Sequence, residues 1–251
     1  MSKIPNFWPL VFETAPPEIE HFIQPTDSEI IGNCLTSLEV KRFEVPLDSG
    51  ETAESGNPRS LLFRFEFSEN EWFTNRVLEK KFWYRKSKRG WAGLTSEPVK
   101  IDWKKGKDTT SGLLDGAVNL WEARKKAGDM AKKDLKEYKA MQKLMENWNG
   151  ENTSFFTWFG YVAAGPYVSA EESAEAFNKA KEDRARAAKG EKVEEEDNDE
   201  DEELMDLEAV VEVHETGDDL ANLLAEDLWP SAIKYFSKSS FLIIRQLANP
   251  L

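Results

Sequence analysis

The feature that most constrains this chain is a dense block of negative charge between residues 191 and 215. The block holds fourteen acids and one base, Lys192, so it carries −13 of the formal net charge of −14 and leaves −1 for all other residues. Like charges at this density repel one another, and we expect an acidic, disordered insertion. Its central acids are Glu194, Glu195, Glu196, Asp197, Asp199, Glu200, Asp201, Glu202 and Glu203.

The charge balance also bears on partners. Overall negative charge repels phosphates, so we expect no direct nucleic-acid site and a basic partner instead. The chain has 251 residues, of which 12% are aromatic, which favours a packed core over a disordered chain. We expect one domain over residues 1–251.

Other sequence features favour an intracellular protein. The one cysteine, Cys34, has no second cysteine for an internal disulfide. No apolar run approaches the roughly 18 residues of a membrane helix, so no membrane partner is expected. The N-terminus lacks a signal-peptide pattern.

Four apolar runs predict β-strands. The clearest covers 60–67, where Leu61, Phe63, Phe65 and Phe67 occupy every second position. The others cover 35–45, 78–84 and 99–103, and Lys80 interrupts the alternation of the third. A loop at 46–58 and a turn at 86–93 join neighbouring runs, which indicates an antiparallel meander of about four strands with one buried face.

The later part of the chain has helical periodicity. Residues 117–148 predict one amphipathic helix with a lysine-rich outer face, inside a helical insertion at 109–150. A second insertion, 165–216, begins with an Ala/Glu/Lys-rich helix at 169–189 and continues into the acidic block. Residues 218–236 are apolar-periodic up to a break at Trp229-Pro230, where we expect Trp229 in the core. Strands followed by helices predict an α+β domain.

No catalytic or metal site is expected from the sequence. The two histidines, His21 and His214, are far apart and lack the partners of a triad or a zinc site. Gly106-Lys107 lacks the glycine and the hydroxyl residue that a phosphate-binding loop requires nearby. We therefore expect a non-enzyme without cofactors.

Several motifs in order resemble the nucleosome assembly protein family, especially its SET-like branch and the fungal Vps-type chaperones. They lie at residues 4–8 (IPNFW), 35–43, 65–73 (FEFSENEWF), 94–99, 101–108, 154–159, 227–230 and 234–236. The resemblance implies an earmuff-shaped domain: an antiparallel sheet covered by helices. The family places a long dimerisation helix before the first motif, but only three residues precede it here. We expect that helix to be missing, and dimerisation stays open.

The resemblance also implies a histone chaperone that assists nucleosome assembly in the nucleus and can shuttle to the cytoplasm. Its partners would be core histones, either or both of the two core-histone pairs. Two alternatives remain: a regulatory subunit that presents histone to a histone acetyltransferase, and a non-selective acidic mimic of DNA. Histone contacts are expected at Glu226 and Asp227, then at Glu66, Glu69 and Glu71, and along the acidic block.

Four bases near a predicted hairpin tip, Arg85, Lys86, Lys88 and Arg89, occupy a position where some relatives carry a nuclear import signal. A solvated turn is the alternative interpretation of the same residues.

Overall fold

Four strands pair in sequence order to form one antiparallel sheet. The computed structural model describes residues 4–45, 56–148, 153–190, 211–214 and 216–239. The strands are β1 (Leu35–Lys41), β2 (Leu61–Phe67), β3 (Val77–Lys86) and β4 (Ala92–Ser96). This arrangement confirms the predicted α+β class and the four-stranded meander.

The side-chain alternation of β2 and β3 defines the buried face of the sheet. In β2 the four large apolar residues face the core and the residues between them are half-exposed. In β3, Leu78, Lys80 and Phe82 all face inward, and Lys80 is fully buried. The expectation that Lys80 interrupts the pattern is therefore wrong, because this lysine follows the pleat of the strand like its apolar neighbours.

The fourth strand lies earlier in the sequence than predicted. Residues 99–103 contribute only one isolated bridge, between Phe73 and Trp103, and the Val99 N–H donates to the Phe159 carbonyl instead of to a sheet neighbour. Their alternating apolar residues reflect burial under the 153–163 region. β4 contains Gly93 and few apolar residues, so its pairing with β3 left little signal in the sequence.

Helices precede and follow the four strands in the sequence. Before β1 lie α1 (Phe7–Glu13), α2 (Pro17–Glu20) and α3 (Pro25–Cys34). After β4 come α4 (Leu113–Ala127), α5 (Lys136–Asn147), a 3-10 helix (Phe155–Gly160) and α6 (Ala170–Ala188). The last described elements are α7 (Gly217–Leu223), a π-helical turn (Leu224–Leu228) and α8 (residues 232–239).

The core is an aromatic layer between the sheet and the 3-10 helix. All six residues of that helix are buried. The Trp158 ring lies 5.2 Å from the rings of both Phe63 and Phe82, edge-on to the first and stacked on the second. Aromatic pairs of this geometry contribute beyond their buried area.

A buried carboxylate fixes the 3-10 helix to α3. Asp27 is fully buried and accepts hydrogen bonds from the Ser154 hydroxyl at 2.6 Å and from the N–H groups of Phe155 and Gln24 at 2.7 and 3.0 Å. Burial raises the pKa of Asp27, and these donors oppose the rise. The contact joins residues more than 120 positions apart, so it specifies the tertiary arrangement.

The single helix predicted over 117–148 is two helices. Gly128 follows α4 with a φ of 71°, a left-handed conformation that favours glycine and ends the helix. The chain turns there, and α5 packs back on α4 around Leu113, Leu120 and Met141. Each of the two helices buries a stripe of apolar residues, and these residues recur at helical spacing on both sides of the break. The sequence therefore resembled one continuous helix.

The structure also corrects the far end of the acidic block. Residues 191–210 and 215 lie outside the described residues, but 211–214 are described. Val213 is 1% exposed within the α4–α5 cluster and His214 is 6% exposed. The disordered insertion predicted to extend to 215 is therefore wrong for 211–214, because Val211 and Val213 supply apolar side chains that the charge count ignored. No helix in the described ranges is long and apolar enough to span a membrane.

Candidate functional site

An acidic groove separates α2 and the residues after it from α7 and the π-helical turn. Its volume is about 620 Å³. Four carboxylates line it, and Phe22 and Leu223 supply apolar surface between them. The four acids, here called the groove acids, are Glu18, Asp219, Glu226 and Asp227.

The groove acids are only partly neutralised. Glu226 lies 3.3 Å from the Arg42 guanidinium in an exposed ion pair, the kind that contributes little energy. The Asp227 carboxylate accepts the Tyr235 hydroxyl at 3.0 and 3.1 Å. Within the described residues, no cation forms an ion pair with Glu18, Asp219 or Asp227. The groove can therefore attract basic side chains, whose methylene stems can lie on its apolar floor.

Local structure explains why these acids are tolerated together. Glu18 stands in the first turn of α2, and Asp219 stands in the first turn of α7. Free N–H groups and the helix dipole favour negative charge at such positions. The acids thus belong to separate helix starts that the fold brings face to face.

The structure separates the site residues expected from the sequence. Glu226 and Asp227 lie in the groove, as neighbours on the π-helical turn. Glu66, Glu69 and Glu71 lie outside the groove, each in an ion pair, and their histone contacts stay a prediction. Glu66 pairs with Arg64 on the same strand, Glu69 lies 3.6 Å from Arg76, and Glu71 lies 2.5 Å from Lys107.

Two of the groove acids, Glu18 and Asp219, escaped the sequence analysis. Each shares a short helix with one other acid, Glu20 or Asp218, and about 200 residues separate the two positions. Only the packing of α2 on α7 brings them to one groove.

The central acids of the block, from Glu194 to Glu203, lie outside the described residues. The chain re-enters the described fold at Val211 and leads through His214 directly into α7. The acidic block therefore precedes the groove element along the chain.

A buried polar cluster holds this re-entry point. The Glu212 carboxylate accepts the N–H groups of Val162, Ala163 and His214 at 2.9, 3.3 and 3.3 Å. The Lys80 ammonium donates to the carbonyls of Glu97, Phe159 and Tyr161 at 2.9, 3.0 and 2.7 Å. Lys80 and Glu212 thus bind neighbouring backbone groups within residues 159–163.

Burial shifts the protonation of this cluster. It lowers the pKa of Lys80 to about 7, opposed by the charges of Glu212 and Glu97, and raises the pKa of Glu212 to about 7, opposed by its N–H donors and by Lys80. Burial also lowers the pKa of His214 to about 4. The His214 ring stacks on Phe22 at 5.2 Å, which links the cluster to the groove floor.

The four bases expected as an import signal lie at the β3–β4 hairpin, where α6 contacts them. Lys88 forms a 2.6 Å ion pair with Glu175, and the Lys86 N–H donates to the Ser173 hydroxyl at 3.1 Å. Arg85 lies over the Trp83 ring at 5.8 Å, while Arg89 is exposed. The import role stays a prediction, and α6 already contacts part of the cluster.

The part of the chain that is described contains no group of three or more His, Cys, Asp or Glu arranged to hold a metal ion.

Comparison with known proteins gives consistent matches. A model of the nucleosome assembly protein family matches residues 1–239. The chain is 33% identical to Protein SET of Drosophila melanogaster over 118 residues, which is 45% of this chain and 38% of that protein. It is 29% identical to Protein SETSIP of Homo sapiens over 159 residues, 63% of this chain and 41% of that protein. The matched regions thus span less than half the length of these relatives.

Two solved structures resemble the chain along most of its length. The crystal structure of the Vps75 histone chaperone has a TM-score of 0.51 and 19% identity, covering 95% of this chain and 80% of that chain. The crystal structure of Ccp1 has a TM-score of 0.49 and 22% identity, covering 96% of this chain and 77% of that chain. At these identities the Vps75 likeness shows the fold alone.

Proposed function

The chain belongs to the nucleosome assembly protein family, whose model matches residues 1–239, and on this premise we propose that it is a histone chaperone. The observation that carries the proposal is the acidic groove, in which four carboxylates surround an apolar floor. Core histones are rich in lysine and arginine, and such side chains fit a groove of this charge. Relatives named for nucleosome assembly support the same class of partner.

The acidic block supports the proposal through its position. Residues 191–210 contain twelve acids and one base, a net charge of −11, and they lead through residues 211–214 into α7 with its groove acid Asp219. The block and the groove can therefore act on one basic partner. Diffuse charge speeds association and shields the partner, while the groove supplies fixed contacts.

A comparison of charge densities explains how the partner can be released. When fully extended, the twenty residues of the block span about 70 Å, so the twelve acids are spaced about 6 Å apart along the chain. Duplex DNA carries one negative charge per ~1.7 Å. Correctly placed DNA therefore outcompetes the block for histone, so the protein can deliver histone without any chemical step.

The groove favours a chaperone over a non-selective mimic of DNA. A mimic needs charge density alone, and its binding falls steeply with salt. A groove with an apolar floor should retain selective binding of folded histone pairs above ~0.3 M salt. Loss of all binding at that salt would favour the mimic.

The test uses substitutions that remove charge from the groove. We expect Asp219→Asn combined with Glu226→Gln to weaken binding of refolded core-histone pairs by about tenfold, because two charge contacts with the histone are lost. Asp227 is left in place because its bond to Tyr235 supports α8. Reversing Asp227 would confuse a binding effect with a folding effect.

A matched control removes two exposed acids outside the groove, Glu122→Gln with Glu146→Gln. It changes the net charge equally, so it should leave groove binding intact. Both proteins should melt like the wild type. Equal loss of affinity in the groove variant and the control would show that net charge alone binds histone, and unchanged affinity in the groove variant would discard the site.

A further inference from the structure

A second groove, distinct from the acidic one, lies between α1, α2 and α3 and is mostly apolar. Its volume is about 540 Å³. Leu10, Phe12, Ile23 and Ile31 line it, and Glu13 and Glu20 stand among them. Leu10 and Ile23 are half-exposed, so the groove presents apolar surface to solvent. Nothing in the proposed histone contacts uses this surface.

The described chain ends beside this groove. α8 packs along α1: the Phe236 ring stacks on Phe7 at 4.9 Å, and the Thr14 hydroxyl donates to the Tyr235 carbonyl at 2.8 Å. At the last described position, the Ser239 hydroxyl donates to the Glu13 carboxylate at 3.1 Å. Because Glu13 also lines the groove, the next residues start directly at its edge.

The residues that follow have the composition that such a groove binds. They read SFLIIRQLANPL from residue 240, and 241–244 form a continuous apolar run of one phenylalanine, one leucine and two isoleucines. From these observations we propose that residues 241–244 of the chain bind in the α1–α3 groove as an intramolecular apolar strap. Burying two apolar surfaces that would otherwise both face water drives the contact.

Charge agrees with this assignment. Arg245 is the only charged residue after Lys238, and it follows the apolar run immediately. The groove carries acids but no base among its lining residues. With Glu13 engaged by Ser239, Glu20 is the acid available to Arg245. Binding of residues 241–244 to the apolar lining therefore places the Arg245 guanidinium near the acidic edge of the groove.

Disulfide trapping in the full chain tests the contact. Gly32 lines the groove, is exposed, and, apart from its chain neighbours and its own helix backbone, has no heavy atom within 4 Å of the position that a Cβ would occupy. Gly32→Cys combined with Ile243→Cys, in a Cys34→Ala background, should give an intramolecular disulfide. The control is Asn33→Cys with Ile243→Cys, because Asn33 is an exposed neighbour on the same helix that does not line the groove.

We expect the Gly32 pair to close at least about ten times faster than the Asn33 pair, because binding raises the local concentration of the tail thiol. The rate should not depend on protein concentration. Adding Leu242→Asp and Ile244→Asp to the Gly32 pair should reduce that advantage. In a chain without the introduced cysteines, the same two substitutions should speed amide exchange in α1, because the groove is then left uncovered.

Two results would overturn the proposal. Equal closure rates for the Gly32 and Asn33 pairs would show that residue 243 has no preference for the groove. Disulfides formed mainly between chains, at a rate that rises with protein concentration, would show that a second copy occupies it. Histone binding is a separate readout, so either result leaves the chaperone proposal standing.

Discussion

Replacing residues 191–210 with a neutral Gly-Ser linker of equal length should leave the thermal midpoint unchanged, whereas extending the replacement to residue 214 should lower it strongly. A disordered insertion over 191–215, as the sequence predicted, could instead be replaced whole without loss of the fold. The difference comes from residues 211–214, of which the fold buries Val213 and His214 and holds Glu212 by hydrogen bonds.

The magnitude follows from the contacts of those residues. Val213 is 1% exposed, and burying a valine side chain contributes about 1.5 to 3 kcal/mol. Losing the Glu212 carboxylate leaves the N–H groups of Val162 and Ala163 without this acceptor, at about 1 to 3 kcal/mol each. The total is about 4 to 9 kcal/mol, a large part of the 5 to 15 kcal/mol typical of domains. The midpoint should fall by roughly 10 to 30 °C.

The assay compares both linker proteins with the wild type by thermal unfolding, histone affinity at two salt concentrations, and suppression of histone–DNA aggregation. The short replacement removes a charge of −11, so it should slow association and flatten the salt dependence of binding. Suppression of aggregation at low salt should fall most, because that task depends on diffuse charge.

Two outcomes would refute this reasoning. If the longer replacement melts like the wild type, residues 211–214 do not support the fold. If the short replacement already lowers the midpoint, the acidic block itself is structural. A short replacement that still suppresses aggregation fully would show that the block only improves solubility.

Three further predictions concern buried and exposed charge. Asp27→Ala should lower the free energy of unfolding by about 2 to 5 kcal/mol in chemical denaturation, because it removes the acceptor of three hydrogen bonds, whereas Glu29→Ala on the exposed side of α3 should change it little. Burial lowers the pKa of Lys80 to about 7, so protonating this side chain costs more free energy in the folded chain than in the unfolded chain. The wild type should therefore lose about 2 to 3 kcal/mol relative to Lys80→Met as the pH falls from about 9 to 7, and an unchanged difference would contradict the lowered pKa. Mutating the four bases within residues 85–89 to alanine should reduce nuclear enrichment seen by microscopy, and undiminished enrichment would refute an import role.

Part of this fold could be predicted from the sequence because some signals are local. β2 was clear because its large apolar residues alternate with the pleat of a strand, and α6 because its composition favours a helix with little to bury. The segregation of charge into residues 191–215 needed no structure, since charge is additive along a chain. The ordered motifs are also local features of the sequence, and their resemblance indicated the family.

Prediction failed where a residue's role depends on atoms from distant parts of the chain. Lys80 broke the apolar pattern but lies in the core, because the carbonyls of residues 97, 159 and 161 satisfy its ammonium. No local pattern reports such pairings.

The candidate site shows the same division. The sequence identified Glu226 and Asp227 as one acidic pair, but the groove exists only because α2 packs against α7 and brings Glu18 and Asp219 to them. By sequence, residues 211–214 belong to the acidic block that was predicted to be disordered. In the structure, Val213 packs in an apolar cluster and Glu212 accepts backbone N–H groups. Sequence by itself determined where charge and apolar residues stand along the chain. The tertiary structure decided which charges are neutralised, buried or left exposed, because electrostatic and packing energies depend on distances in space.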